Sequence, residues 1–191
     1  MKKKILVLLS IIAVFSCQAQ KAYDFISVND IFRVITYRYI TSKNETKDAK
    51  ALESFYTPIF KSYGYTHELP GDGYGGPCSI IDGFYKGGYD DKENFRFVPT
   101  DKKTASFVFM SACNDGEDGD YGYLEVIMTV YSKSLAECIF ADIESSGFEL
   151  FDFDNPEEAG DVKLYYNGDK QIICDNNEEE NSYIFSFGIA K

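Results

Sequence analysis

Asn114 to Glu125 is a twelve-residue segment that crowds Asp115, Glu117, Asp118, Asp120 and Glu125 together. Carboxylates at such spacing can supply the oxygen ligands that a hard cation such as Ca2+ requires. Laid on a twelve-residue calcium loop, the segment puts Gly119 at the turn position and Glu125 at the bidentate position. Asp118 and Asp120 then fall on ligand positions. The first ligand place holds Asn114 and the third holds Gly116, and both flanks read as strands, which excludes a helix–loop–helix site. Asp118, Asp120 and Glu125 stand as a different kind of Ca2+ site. The competing expectation is a solvated hairpin whose charges blunt a sheet edge. No other cofactor is expected.

Few other residues offer chemistry. The chain has one histidine, so His-rich metal sites and most nucleophile–histidine triads are excluded. His67 falls at the end of an expected strand beside Glu68 and reads as a satisfied structural residue rather than a general base. No catalytic residue is assigned. A pair of carboxylates for hydrolysis could be drawn from the 31 acidic residues, but no spacing locates it. The segment Gly71-Asp72-Gly73-Tyr74-Gly75-Gly76-Pro77 is glycine-rich, yet it lacks the lysine of a phosphate loop and precedes no helix. Residues 63–91 hold eight glycines and five tyrosines. Tyr74, Tyr85 and Tyr89 there form a candidate recognition surface, because tyrosine offers contact area at low entropic cost. The bland alternative folds these rings inward at the end of a sheet.

The cysteines point to a compartment. Cys78, Cys113, Cys138 and Cys174 follow Cys17, and an even set in an oxidising environment reads as two disulfides, with a local pairing of Cys138 and Cys174 expected in the second half. None forms C-x-x-C, so a thioredoxin-like or zinc-ribbon site is not supported. The export signal precedes them. Lys2, Lys3 and Lys4 lead an apolar run from Ile5 to Phe15 that is too short to span a bilayer, so residues 1–20 read as a signal peptide. Val14-Phe15-Ser16-Cys17 resembles a bacterial lipobox, making Cys17 the lipidated first residue; ordinary cleavage after Ala19 is the rival. The expected destination is the outer membrane as a lipoprotein, or the periplasm or exterior if no lipid is attached.

Charge then narrows the partners. Of the basic residues in the chain, sixteen lie beyond Lys2, Lys3 and Lys4 and face 31 acidic ones, so the mature chain carries about −15. That excludes a phosphate-binding stripe for nucleic acid and leaves the lipid as the only membrane contact. A basic protein partner suits this field.

The positioning elements come from periodicity. Ser27-x-x-Asp30 starts a helix over Ile31–Ile40, despite its β-branched residues. Leu52, Phe55, Tyr56, Ile59, Phe60 and Tyr63 form one helical stripe over 48–63, crossed by Pro58 and ended by Gly64. Strands follow at Tyr65–Leu69, Ser79–Tyr85, Asn94–Val98, Ala105–Ala112 and Tyr123–Ser132. A helix over Ser134–Ser146 stops at Gly147. Strands at Phe148–Phe153, Val162–Tyr166, Gln171–Cys174 and Tyr183–Ile189 complete the chain, with Asn167-Gly168 as the centre of a tight hairpin. Residues 21–191 therefore read as a single α+β domain, with helices packed on an antiparallel sheet and two related helix-plus-meander halves sharing it. This layout resembles, in architecture alone, exported inhibitory proteins of the β-lactamase-inhibitor type. The functional expectation is a non-catalytic protein-binding or inhibitory module of the cell envelope, with a carboxylate-dependent hydrolase as the alternative.

Overall fold

The computed structural model describes residues 25–43, 49–68, 78–89, 99–114, 121–153, 162–177 and 181–189. The expected signal segment 1–20 with Cys17, together with Tyr74, Asp118, Asp120 and the strand expected over Asn94–Val98, lies outside them.

The first helix, α1 (Val28–Lys43), is capped from two directions. Ser27 Oγ accepts the Asp30 amide at 3.2 Å, which is the local cap the sequence announces. The buried Asp142 carboxylate, from a helix more than a hundred residues later, accepts the Val28 amide at 2.8 Å. A carboxylate at a helix N-terminus satisfies an orphan donor and meets the positive end of the dipole. Helix α2 (Ala49–Ser62) runs through Pro58, which is exposed, while Tyr56 and Phe60 are buried. Tyr63 just beyond it donates to Asp30 Oδ2 at 2.6 Å and so ties the end of α2 to the start of α1.

Helices α2 and α3 (Lys133–Ser145) end alike. Gly64 and Gly147 adopt φ of +82° and +81°. The amides of Tyr65 and Phe148 reach back to the carbonyls of Phe60 and Ile143, at 3.2 and 3.3 Å. This is the Schellman geometry, in which glycine avoids the Cβ clash and the following apolar residue packs onto the last turn. The Tyr65 ring meets Phe60 edge-on at 5.9 Å, and Phe148 stacks on Phe32 of α1 at 5.2 Å.

Eight antiparallel strands form one sheet: β1 (Thr66–Glu68), β2 (Cys78–Lys86), β3 (Ser106–Asn114), β4 (Tyr121–Val130), β5 (Glu149–Leu150), β6 (Lys163–Asn167), β7 (Lys170–Asn177) and β8 (Ser182–Ile189). Their spatial order is β1-β2-β3-β4-β8-β7-β6-β5, so the chain lays down β1 to β4 in order and joins the remaining strands through the β4–β8 pair. The structure is thus α+β, with helices on an antiparallel sheet. Alternation along each strand separates two faces. Phe84, Val108, Met110, Val126, Met128, Phe185, Phe187, Ile172 and Cys174 point to the helices and build the core with Ile31, Ile35, Phe60 and Ile139. Phe109, Ile127, Ser186, Ile173 and Leu164 are cross-strand partners in one row on the opposite face.

Two local expectations shift. The β6–β7 turn centres on Gly168-Asp169 rather than Asn167-Gly168, since Asn167 pairs with Lys170 and Gly168 alone takes positive φ, at +63°. Glycine at the first central position is what a type II′ turn needs. Strand β5 is two residues long instead of spanning Phe148–Phe153, because Phe148 is drawn into the core by the Gly147 cap.

Candidate functional site

The one histidine is held by an aspartate that the sequence does not single out. Asp82 sits on β2 at a register irregularity between Ile80 and Asp82, with its side chain on the helix-covered face. His67 lies opposite Phe84 on β1, so it is the diagonal neighbour of Asp82. Its Nε2 is 2.5 Å from Asp82 Oδ1, and its ring stacks on Phe84 at 4.9 Å. The Tyr56 hydroxyl, coming down from α2, donates to Asp82 Oδ2 at 2.7 Å, and the Gly83 amide donates to Oδ1 at 2.9 Å. An ionised carboxylate only accepts, so in this contact Nε2–H is the donor. Chemically this fixes the tautomer and orientation of an imidazole; structurally it locks α2, β1 and β2 around one buried charge. The sequence signal was a single acid two residues before Phe84 in an otherwise apolar strand. Its partner is Asp82, not the adjacent Glu68.

The tyrosines gather at the other end of β2. Tyr85 and Tyr89 meet edge-on at 5.6 Å, as their proposed common surface requires. The Tyr89 hydroxyl, however, donates to the carbonyls of Ser106 (2.9 Å) and Lys86 (3.3 Å). Burial pushes its hydroxyl pKa up, with Tyr131, Tyr65 and Tyr85 adding to the effect. Beside it the Tyr65 hydroxyl meets Ser106 Oγ at 2.8 Å, and burial raises its pKa to about 12. Tyr65 and Tyr89 thus close a sheet end with their hydroxyls hydrogen-bonded to the chain.

The expected Cys138–Cys174 bridge is not formed. Cys174 is a buried free thiol, and burial pushes it up to about 12 with Lys163 opposing. Cys138 is disulfide-bonded, so its partner is Cys17, Cys78 or Cys113. The reason lies on α3. Leu135, Ile139 and Ile143 face the core, and Cys138 and Phe140 flank that stripe on opposite sides. The Phe140 side faces Cys174's neighbours: its ring lies 5.2 Å from Phe185 and 6.2 Å from Tyr165. Cys138 is turned away from them. Cys78 and Cys113 are directly opposed in the β2–β3 register.

Glu125 lies on the outer face of β4, where burial holds its carboxyl above the ordinary glutamate range and a hydrogen bond from Ser186 opposes the shift. Among the described residues, no group of three His, Cys, Asp or Glu side chains is placed to hold a metal.

The outer face carries the feature that sequence reasoning missed. Phe151, Tyr166 and Ile173 are large apolar or aromatic side chains between 40% and 44% exposed, whereas exposed Leu150, opposite Tyr165, belongs to the helix-side edge. Phe151 packs edge-on with Phe153 at 4.9 Å and with Tyr166 at 6.3 Å. Ile173 and Leu164 extend the patch along the apolar row. Exposed Glu149, Asp152 and Asp175 stand around it. The period-two alternation of β6 and β7 hides this surface, because both faces of these strands hold apolar residues. No protein-family model, curated protein or solved structure matches the chain.

Proposed function

We propose that this protein is an exported, lipid-anchored envelope protein that binds another protein through the outer face of its sheet. The observation that carries the reading is the exposed patch of Phe151, Tyr166 and Ile173 on that face. Apolar side chains clustered on a surface with a polar rim mark interaction sites. The rim here is acidic, and the mature chain is near −15. The partner is therefore a protein with an apolar centre and a basic border, steered by the field and held by the aromatic cluster. Lys2 to Lys4, the apolar run and Cys17 support export and lipidation. The proposal includes two related helix-plus-meander halves, supported by the matching glycine caps at Gly64 and Gly147.

The test is crosslinking of the mature protein in envelope extracts, comparing wild type with Ile173→Glu, Phe151→Glu and Tyr89→Phe. A crosslinked partner lost with either glutamate variant and kept with Tyr89→Phe supports the outer face. Equal crosslinking by all four proteins overturns it, as does a self-complex that Ile173→Glu dissolves.

A further inference from the structure

A cleft of about 390 Å3 opens between α1, α2 and the start of β7, away from the outer face. The depression is shallow and open to solvent, so contact with a ligand would come from one side. Three rings line it. Tyr37 of α1 and half-buried Phe55 of α2 stack face to face at 3.8 Å and 13°, and the edge of the buried Phe32 ring of α1 forms the floor. Each surface carries a cation. The Arg33 guanidinium carbon stands 5.5 Å over Phe55, and Lys170 Nζ stands 5.3 Å over Phe32. Ring contact fixes the two charged heads at the cleft rather than leaving them to sweep through solvent. Arg33, itself exposed, also meets Asp30 at 3.6 Å, and that carboxylate already accepts from Tyr63 and Ser27. Among the described residues no carboxylate lines the cleft, and Lys170 makes no ion pair. In a chain with 31 acidic and 19 basic residues, two cations held beside one aromatic depression run against the overall field.

We propose that this cleft binds a small organic anion with a flat apolar body, an aromatic carboxylate. The ring system would pack against the half-buried Tyr37–Phe55 pair, above the floor formed by Phe32. The carboxylate would accept from Arg33 and Lys170, a charge-assisted contact that discriminates against a neutral analogue. This site is independent of the protein-binding face and can fail without affecting it.

The experiment titrates the full mature protein with 2-naphthoate and, in parallel, with neutral 2-naphthylmethanol, by calorimetry. Expected is saturable binding of naphthoate, about tenfold or more tighter than the alcohol, weakening as salt is added. Lys170→Met and Arg33→Met, each checked for folding by circular dichroism, should each lower naphthoate affinity by about tenfold. Ile173→Glu should leave it unchanged. No saturable binding at millimolar naphthoate, equal affinity for the alcohol, or wild-type affinity in both cation variants overturns the proposal. Loss of binding in Ile173→Glu assigns the dye-like anion to the outer face and overturns it as well.

Discussion

Tyr56→Phe isolates one bond at the buried Asp82. The phenyl ring keeps the edge-on contact of Tyr56 with Phe84 at 6.0 Å, while the 2.7 Å donation to Asp82 Oδ2 is lost. A hydrogen bond to a charged group contributes about 1.5–3 kcal/mol, and the exposed side of the ledger is small because both residues are buried. For a domain of this size each kcal/mol moves the midpoint by about 2–4 °C, so the variant should melt about 3–12 °C lower. Urea unfolding should show a lower midpoint with unchanged slope, since the native fold and the surface exposed on unfolding are the same. Tyr56 and His67 share one carboxylate, so a cycle with His67→Ala should reveal a coupling of about 0.5–3 kcal/mol. A Tyr56→Phe protein within about 0.5 kcal/mol of wild type, or strict additivity with His67→Ala, would refute a stabilising network at Asp82.

Other outcomes follow from single residues. Cys174 should resist alkylation at pH 8 in the native protein and react once unfolded, because burial suppresses its thiolate; mass spectrometry reads the label. Tyr65 and Cys174 have folded values near 12, above the ordinary 10.0 and 9.0, so their contribution is intact below those ordinary values and lost as pH rises towards 12. Urea midpoints measured across that window should fall, and Cys174→Ala and Tyr65→Phe should each flatten the decline. Gly147→Ala should cost about 1–2 kcal/mol by forcing a Cβ into left-handed backbone, whereas Gly188→Ala, with open space around it, should be near neutral in the same unfolding assay. The mature N-terminus should be a lipidated Cys17 by intact mass; an unmodified chain beginning at Gln20, or a peptide bridging Cys17 to Cys138, would overturn lipidation.

Local chemistry alone determined much of this fold. The Ser27 cap, the stripe ending at Tyr63, and the glycines at 64 and 147 act through neighbours a few residues away, so helix positions and their stops were legible. Strands β1 to β4 and β6 to β8 were legible from their apolar runs and turn residues, with β5 shortened where Phe148 found a place in the core. What required tertiary structure is whatever depends on partners distant in the chain. Asp142 caps Val28 because packing brings α3 to the start of α1. Asp82 becomes the hub of Tyr56 and His67 because a strand register and a helix docking coincide there. Cys174 stays a thiol because helix rotation gives its side of α3 to Phe140 rather than Cys138. The exposed row through Ile173 and the cleft between Arg33 and Lys170 arise in the same way. A strand pattern tells which residues share a face, but only the placement of the three helices on one side decides which face is left to solvent.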